Sequence, residues 1–191
     1  MPGKQAKILA ANHIDDLLRF AGSTRYPYRD RVIVLLSVKA GLRAAEIANL
    51  TWDMVLGPEG EVWTSLELRD SAAKMGHGRV IPLHCVLREA LAALKGISND
   101  KPPVIVSERG NKMEARSIVI WFSRAYRAIG LSGCSSHSGR RTFVTRAARL
   151  VHQAGGSLRD VQLLAGHRSI QTTQGYIDGD SDAQRRLVSL I

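Results

Sequence analysis

Apolar residues recur at helical spacing along most of the chain and alternate strictly in one stretch only. Ile14, Leu17 and Leu18 mark a first short helix, with Asn12 as its expected N-cap and Asp15 and Asp16 placed where carboxylates suit the helix dipole. Pro27 opens a second helix, which Val32, Leu35, Leu36 and Ala40 carry to Gly41, a residue suited to a C-terminal stop. Ala45, Ile47, Ala48 and Leu50 give a third. After the turn at 57–60, Val62, Thr64, Leu66 and Leu68 alternate with Trp63, Ser65 and Glu67, the period of a strand. A second turn at 74–78 returns the chain into a strand over 79–83, so a small hairpin or three-stranded sheet interrupts the helices.

Helical spacing resumes at Val86, Leu87, Ala90, Leu91 and Leu94 and stops at Gly96. An extended connection over 102–106 follows. Ile118, Phe122, Ala125 and Ile129 then form one apolar stripe ending at Gly130. Ser138 or a neighbour caps the next helix, through Phe143, Ala147 and Leu150; Ser157 caps another that Gly166 ends. The last segment, 180–191, reads as a helix with Leu187, Val188, Leu190 and Ile191 on one apolar face. The pattern predicts a mainly α protein with a small antiparallel β-sheet (α+β). It predicts a single domain over 1–191, in which 1–11 are a loose basic lead-in.

Composition narrows the choice of partner. The chain carries 27 Lys and Arg against 17 Asp and Glu, a net charge of +10 with His neutral. Such an excess points to a polyanion, most often nucleic acid. Charge also concentrates locally: 136–149 holds Arg140, Arg141, Arg146 and Arg149 and no acidic residue. No apolar run is long enough for a membrane span and no secretory signal is legible, so a membrane partner is not expected. Cys85 and Cys134 form no C-x-x-C pair, as in a protein of a reducing, cytoplasmic compartment.

The candidate chemistry gathers around LLAGHRSIQTTQGY, residues 163–176, where Tyr176 lies nine positions after His167. Alone, such a tyrosine is ordinarily a packing residue. As a nucleophile it needs help, because a phenol ionises near pH 10. Attack on a phosphodiester would ask for fixed cations on the non-bridging oxygens and an acid for the leaving oxygen. No carboxylate cluster, H-E-x-x-H or phosphate loop is present, so no metal or other cofactor is expected and side-chain cations would supply the charge. Arg43 opens a helix with Glu46 three residues on, placed to hold its guanidinium. His137 and Arg140 share one side of a helix start, and Lys74 lies in the hairpin turn.

Four phrases carry a resemblance: AGLRAAEIANLTW (40–52), KMGHGRVIPL (74–83), HSGRRTF (137–143) and LLAGHRSIQTTQGYID (163–178). In this order they resemble the catalytic domain of the tyrosine recombinases, the phage-integrase family. The resemblance implies that Tyr176 attacks the scissile phosphate to form a 3′-phosphotyrosine and a free 5′-hydroxyl, without metal or ATP. Arg43 and Arg140 would clamp the non-bridging oxygens, and His167 would hydrogen-bond the phosphate. Lys74 would protonate the departing 5′-oxygen, while His137 assists proton transfer at the tyrosine. Glu46 would support an arginine, and Arg141, Arg146 and Arg168 would contact DNA. Gly139 and Arg141 stand where many members have leucine and histidine.

The resemblance also implies double-stranded DNA as substrate and a homo-tetramer on it, with the 180–191 helix as a candidate docking element. A prokaryotic, nucleoid-associated location follows from the same source. Most members carry an N-terminal core-binding domain for which too few residues precede the first helices here, as in minimal invertase-type members or a truncated chain. Integration, excision and inversion all fit. A type IB topoisomerase-like or telomere-resolvase strand transferase, and a catalytically inactive DNA-binding relative, are the alternatives; against the last, all six candidate positions hold competent residue types.

Overall fold

The computed structural model describes residues 6–73, 76–98, 101–176, 188–189 and 191. Eight helices and one two-stranded sheet are formed by these residues. In order they are α1 (Ala11–Gly22), α2 (Pro27–Lys39), α3 (Ala44–Asn49), β1 (Ser65–Leu68), β2 (Arg79–Pro82), α4 (Cys85–Lys95), α5 (Ala115–Ala128), α6 (Ser138–Leu150), α7 (Leu158–Ala165) and α8 (Ile170–Gln174). This is the mainly helical architecture with a small antiparallel sheet that the pattern predicts. No helix among the described residues is long and apolar enough to cross a membrane. Contacts divide the chain into two compact units, Met1–Phe143 and Val144–Ile191.

The first unit is built around α2. Val32, Ile33, Val34, Leu35 and Leu36 are all fully buried, so the middle of this helix is enclosed on every side and lies inside the core. Helices α1 and α4 pack directly on it. Each of those aliphatic side chains stabilises the fold by roughly 1.5–3 kcal/mol relative to exposure. Buried Asp30 is fully satisfied: it accepts from Thr24 Oγ1 at 2.8 Å, Arg29 Nε at 2.8 Å and Trp121 Nε1 at 2.9 Å, which ties the α1–α2 turn to α5.

The hairpin pairs Ser65 with Pro82, Leu66 with Ile81, Glu67 with Val80 and Leu68 with Arg79. Leu66, Leu68 and Ile81 face the core. Thr64, expected inside, is exposed, because the ladder begins one residue later and only Val62, Leu66 and Leu68 of that alternation are buried.

Two helix starts depart from expectation or explain a sequence oddity. Helix α1 starts at Ala11, not after an Asn12 cap; His13 Nδ1 accepts the Ala10 N–H at 3.3 Å and so caps the helix from its third position. Asp16 then sits a turn inside, where it pairs with Arg19 at 2.7 Å. At the start of α6, a Cβ on Gly139 would lie 2.2 Å from Ser37 Oγ. The leucine common at this position elsewhere has no room here.

In the second unit the buried face of α6 is Val144 and Ala148, continued by Val151, while Leu150 is exposed. Helix α8 is absent from the sequence reading; Ser169 caps it by accepting the Gln171 N–H at 3.2 Å. Of the expected C-terminal helix, Leu187 and Leu190 lie outside the described residues, and Val188 and Ile191 are exposed.

Gly41 terminates α2 with φ +65°, and a Cβ there would lie 2.4 Å from Phe143 Cδ1. Gly41→Ala is expected to destabilise the protein by about 1–3 kcal/mol through overpacking and roughly 1 kcal/mol more through the left-handed backbone. The change is read as a lower urea midpoint at unchanged slope.

Candidate active site

In the first unit a carboxylate gathers two arginines. Arg43 is the N-cap of α3; its backbone N–H donates to Glu46 Oε2 at 2.9 Å and its Nη1 to Oε1 at 2.8 Å. Arg79, the first residue of β2, donates from Nη1 to Oε1 at 3.1 Å and from Nη2 to Oε2 at 3.0 Å, a two-pronged contact from 33 residues away. Glu46 is fully buried, the Arg79 side chain is 6% exposed and that of Arg43 20%. Burial alone would raise the carboxyl's pKa, but the hydrogen bonds and charges of Arg79 and Arg43 outweigh it and hold Glu46 at about 2. Two guanidiniums on one carboxylate leave a net positive charge, presented to solvent by Arg43.

Arg140 lies in the first turn of α6, is buried, and donates from Nη1 to the Gly41 carbonyl at 2.6 Å. It therefore reaches the turn that leads into Arg43. His137 immediately precedes α6 and is exposed; its carbonyl accepts the Arg141 N–H at 2.9 Å, and its own N–H donates to Ser135 Oγ at 3.3 Å. Arg141 is half-buried, with its Nε enclosed and without a hydrogen-bond partner among the described residues. Lys74 lies outside the described residues.

The second unit brings His167 and Tyr176 together. Gly166 ends α7 in the left-handed conformation, φ +62° and ψ +44°, and turns the chain so that His167 follows at once. Buried Gln162 clamps the backbone of His167 from both sides: its carbonyl accepts the His167 N–H at 3.1 Å and its Nε2 donates to the His167 carbonyl at 2.9 Å. The His167 ring is buried, with Nδ1 at 2.9 Å from Thr173 Oγ1, and stacks on the Tyr176 ring at 5.3 Å between centroids and 24° between planes. Tyr176 is half-buried just after α8. Its N–H donates to the Thr173 carbonyl at 3.1 Å and its carbonyl accepts from Thr145 Oγ1 at 3.2 Å. Arg146 and Arg168 are exposed.

Thr173 thus fixes the orientation of the His167 ring through Nδ1. Thr173, Gln162, Thr145 and Arg79 are the residues that sequence reading missed. Among the described residues no three His, Cys, Asp or Glu side chains gather as metal ligands.

Residues 7–182 match the sequence model of the phage integrase family. The chain belongs to that family. Among curated relatives of this integrase-family chain, tyrosine recombinase XerC of Corynebacterium glutamicum is 30% identical over 176 residues, 89% of this chain and 54% of the relative. Tyrosine recombinase XerA of Thermococcus kodakarensis is 29% identical over 180 residues, 92% of this chain and 59% of the relative. The chain thus spans little more than half the length of these relatives. The crystal structure of XerA recombinase superposes with a TM-score of 0.76 at 22% identity, over 100% of this chain and 65% of that one. A lambda integrase dimer bound to a COC′ core site gives a TM-score of 0.73 at 23% identity, over 93% of this chain and 49% of that one. At these identities the superpositions establish a shared fold.

The depressed ionisation of Glu46 has a sign. Its stabilisation is complete above its ordinary value of 4.5 and is lost as pH falls from there toward about 2. Glu46→Gln is therefore expected to give a less stable protein at neutral pH, by on the order of a few kcal/mol. Its stability should also fall less steeply between pH 4.5 and 2, as followed by chemical denaturation at each pH.

Proposed function

We propose that this integrase-family chain is the catalytic part of a site-specific DNA recombinase, cutting and rejoining double-stranded DNA through a covalent phosphotyrosine. The observation that supports this most is the His167 ring stacked on Tyr176, in a chain whose family match runs through both. The tyrosine oxygen attacks phosphorus as the bond from phosphorus to the 5′-oxygen breaks. The phenol proton leaves by way of His137, and the departing 5′-oxygen takes a proton from Lys74. Arg43 and Arg140 neutralise the non-bridging oxygens, whose charge grows in the transition state. His167 hydrogen-bonds one of them.

An incoming 5′-hydroxyl reverses the same steps on another strand. The phosphodiester energy stays in the tyrosyl ester, so neither ATP nor a metal ion is needed. Arg141, Arg146 and Arg168 add sequence-independent phosphate contacts, which makes binding salt-dependent. Exchange between two duplexes cuts four strands, and each chain carries one Tyr176, so the working assembly is a tetramer.

Incubation with a nicked suicide duplex bearing its target site, in EDTA, is expected to give a covalent protein–DNA band that Tyr176→Phe abolishes. A band that survives this substitution, or that requires magnesium, would sink the mechanism. Arg140→Ala is expected to lower single-turnover cleavage on the order of 100-fold or more with little loss of DNA affinity at low salt. Equal loss of both in a gel-shift assay would reduce Arg140 to a binding residue.

A further inference from the structure

The alternation of β2 is inverted at Arg79. Arg79 and Ile81 share the face that turns inward, and Val80, between them, is 58% exposed. A strand shaped only by burial would place valine inside and arginine outside. Here the charged side chain takes the buried position and meets the one carboxylate that also holds Arg43. A buried ion pair of this kind stabilises a fold little better than apolar packing of the same volume. Stability alone therefore does not call for an ion pair at this position over apolar packing.

The same residue stands at the root of a loop. Leu68 and Arg79 are the last cross-strand pair before residues 69–78, the segment in whose sequence Lys74 lies. Two further contacts close that root. The Gly78 N–H donates to Asp70 Oδ1 at 2.7 Å, and Arg69 pairs with Asp53 beside the first turn after α3. The Arg69–Asp53 pair is more than half exposed on both sides and contributes little. Asp70 and Gly78 hold the loop to itself. Arg79 is the member of the set whose grip on the body of the unit is buried.

We propose that Arg79 is a positioning residue, which through Glu46 fixes the Arg43 guanidinium. The proposal rests on the phosphate-clamping role of Arg43 given above. Displacing Arg79 releases the carboxylate that holds that guanidinium. The ionic groups facing the Glu46 carboxylate are Arg43 from its own N-cap and Arg79 from β2; α2 and α5, which pack on α3, contribute none among the described residues.

The test compares Arg79→Met, Arg79→Lys and Glu46→Ala/Arg79→Met with the parent chain on the same suicide duplex. Arg79→Met is expected to leave affinity at low salt within about two-fold and to lower single-turnover cleavage on the order of 10–100-fold, as for other residues that orient a reacting group. Arg79→Lys restores the charge without the fork and is expected to recover only part of the rate. The double variant leaves no unpaired carboxylate, so it folds, and it is expected to cleave as slowly as Arg79→Met. Affinity lost in step with cleavage would make Arg79 a DNA contact and overturn the proposal, as would cleavage at the parent rate.

A second measurement needs no DNA. In Arg79→Met the Glu46 carboxyl keeps its burial but loses its larger counter-charge, so its titration by carbon-13 NMR is expected to move upward from about 2. An unmoved Glu46 titration would overturn the anchor even if the recombinase reading stands. A moved titration in a chain that forms no covalent band would leave the anchor intact and sink only the recombinase reading.

Discussion

The arginine cluster of the first unit depends on one carboxylate in the wrong solvent. Glu46 is removed from water and stays ionised because two guanidiniums and a backbone N–H reach it. Each partner comes from a different piece of the chain: the N-cap of α3 supplies Arg43, and the root of the hairpin supplies Arg79. The requirement that this charge be matched fixes where the hairpin can pair with the body of the unit. It also fixes which way Arg43 faces. The turn at Gly41 completes the arrangement, because its left-handed backbone presents a carbonyl to Arg140.

The second unit solves a different problem, that of holding an aromatic pair. His167 and Tyr176 each follow the end of a short helix, α7 and α8 respectively. Hydrogen bonds with Gln162, Thr145 and Thr173 fix their backbones or ring, and all three partners are buried.

Much of this was legible in the sequence, and the reasons for the failures are physical. Arg43 and Glu46 are three residues apart at a helix start, so local spacing alone announces their contact. Arg79 is 33 residues from Glu46, and strand alternation assigned its position no charge partner. Helix α8 has five residues rich in Thr and Gln, too short and too polar to show a period. For α6, the sets 143/147/150 and 144/148/151 obey the same helical spacing, so periodicity could not rank them; the second is the buried one. The boundary between the two contact units falls inside a helix, between Phe143 and Val144, where composition does not change.

The Gln162 clamp on His167 holds main-chain atoms only. Position 167 is therefore set in space before its side chain is chosen. Any residue placed there would be delivered to the same spot beside Tyr176, so the chemistry of the site can be exchanged without rebuilding its frame. In evolutionary terms the loop is a socket: selection can try new rings at 167 at the cost of the ring's own contacts with Thr173 and Tyr176, while the turn, the cap and the backbone anchorage of Tyr176 carry on unchanged.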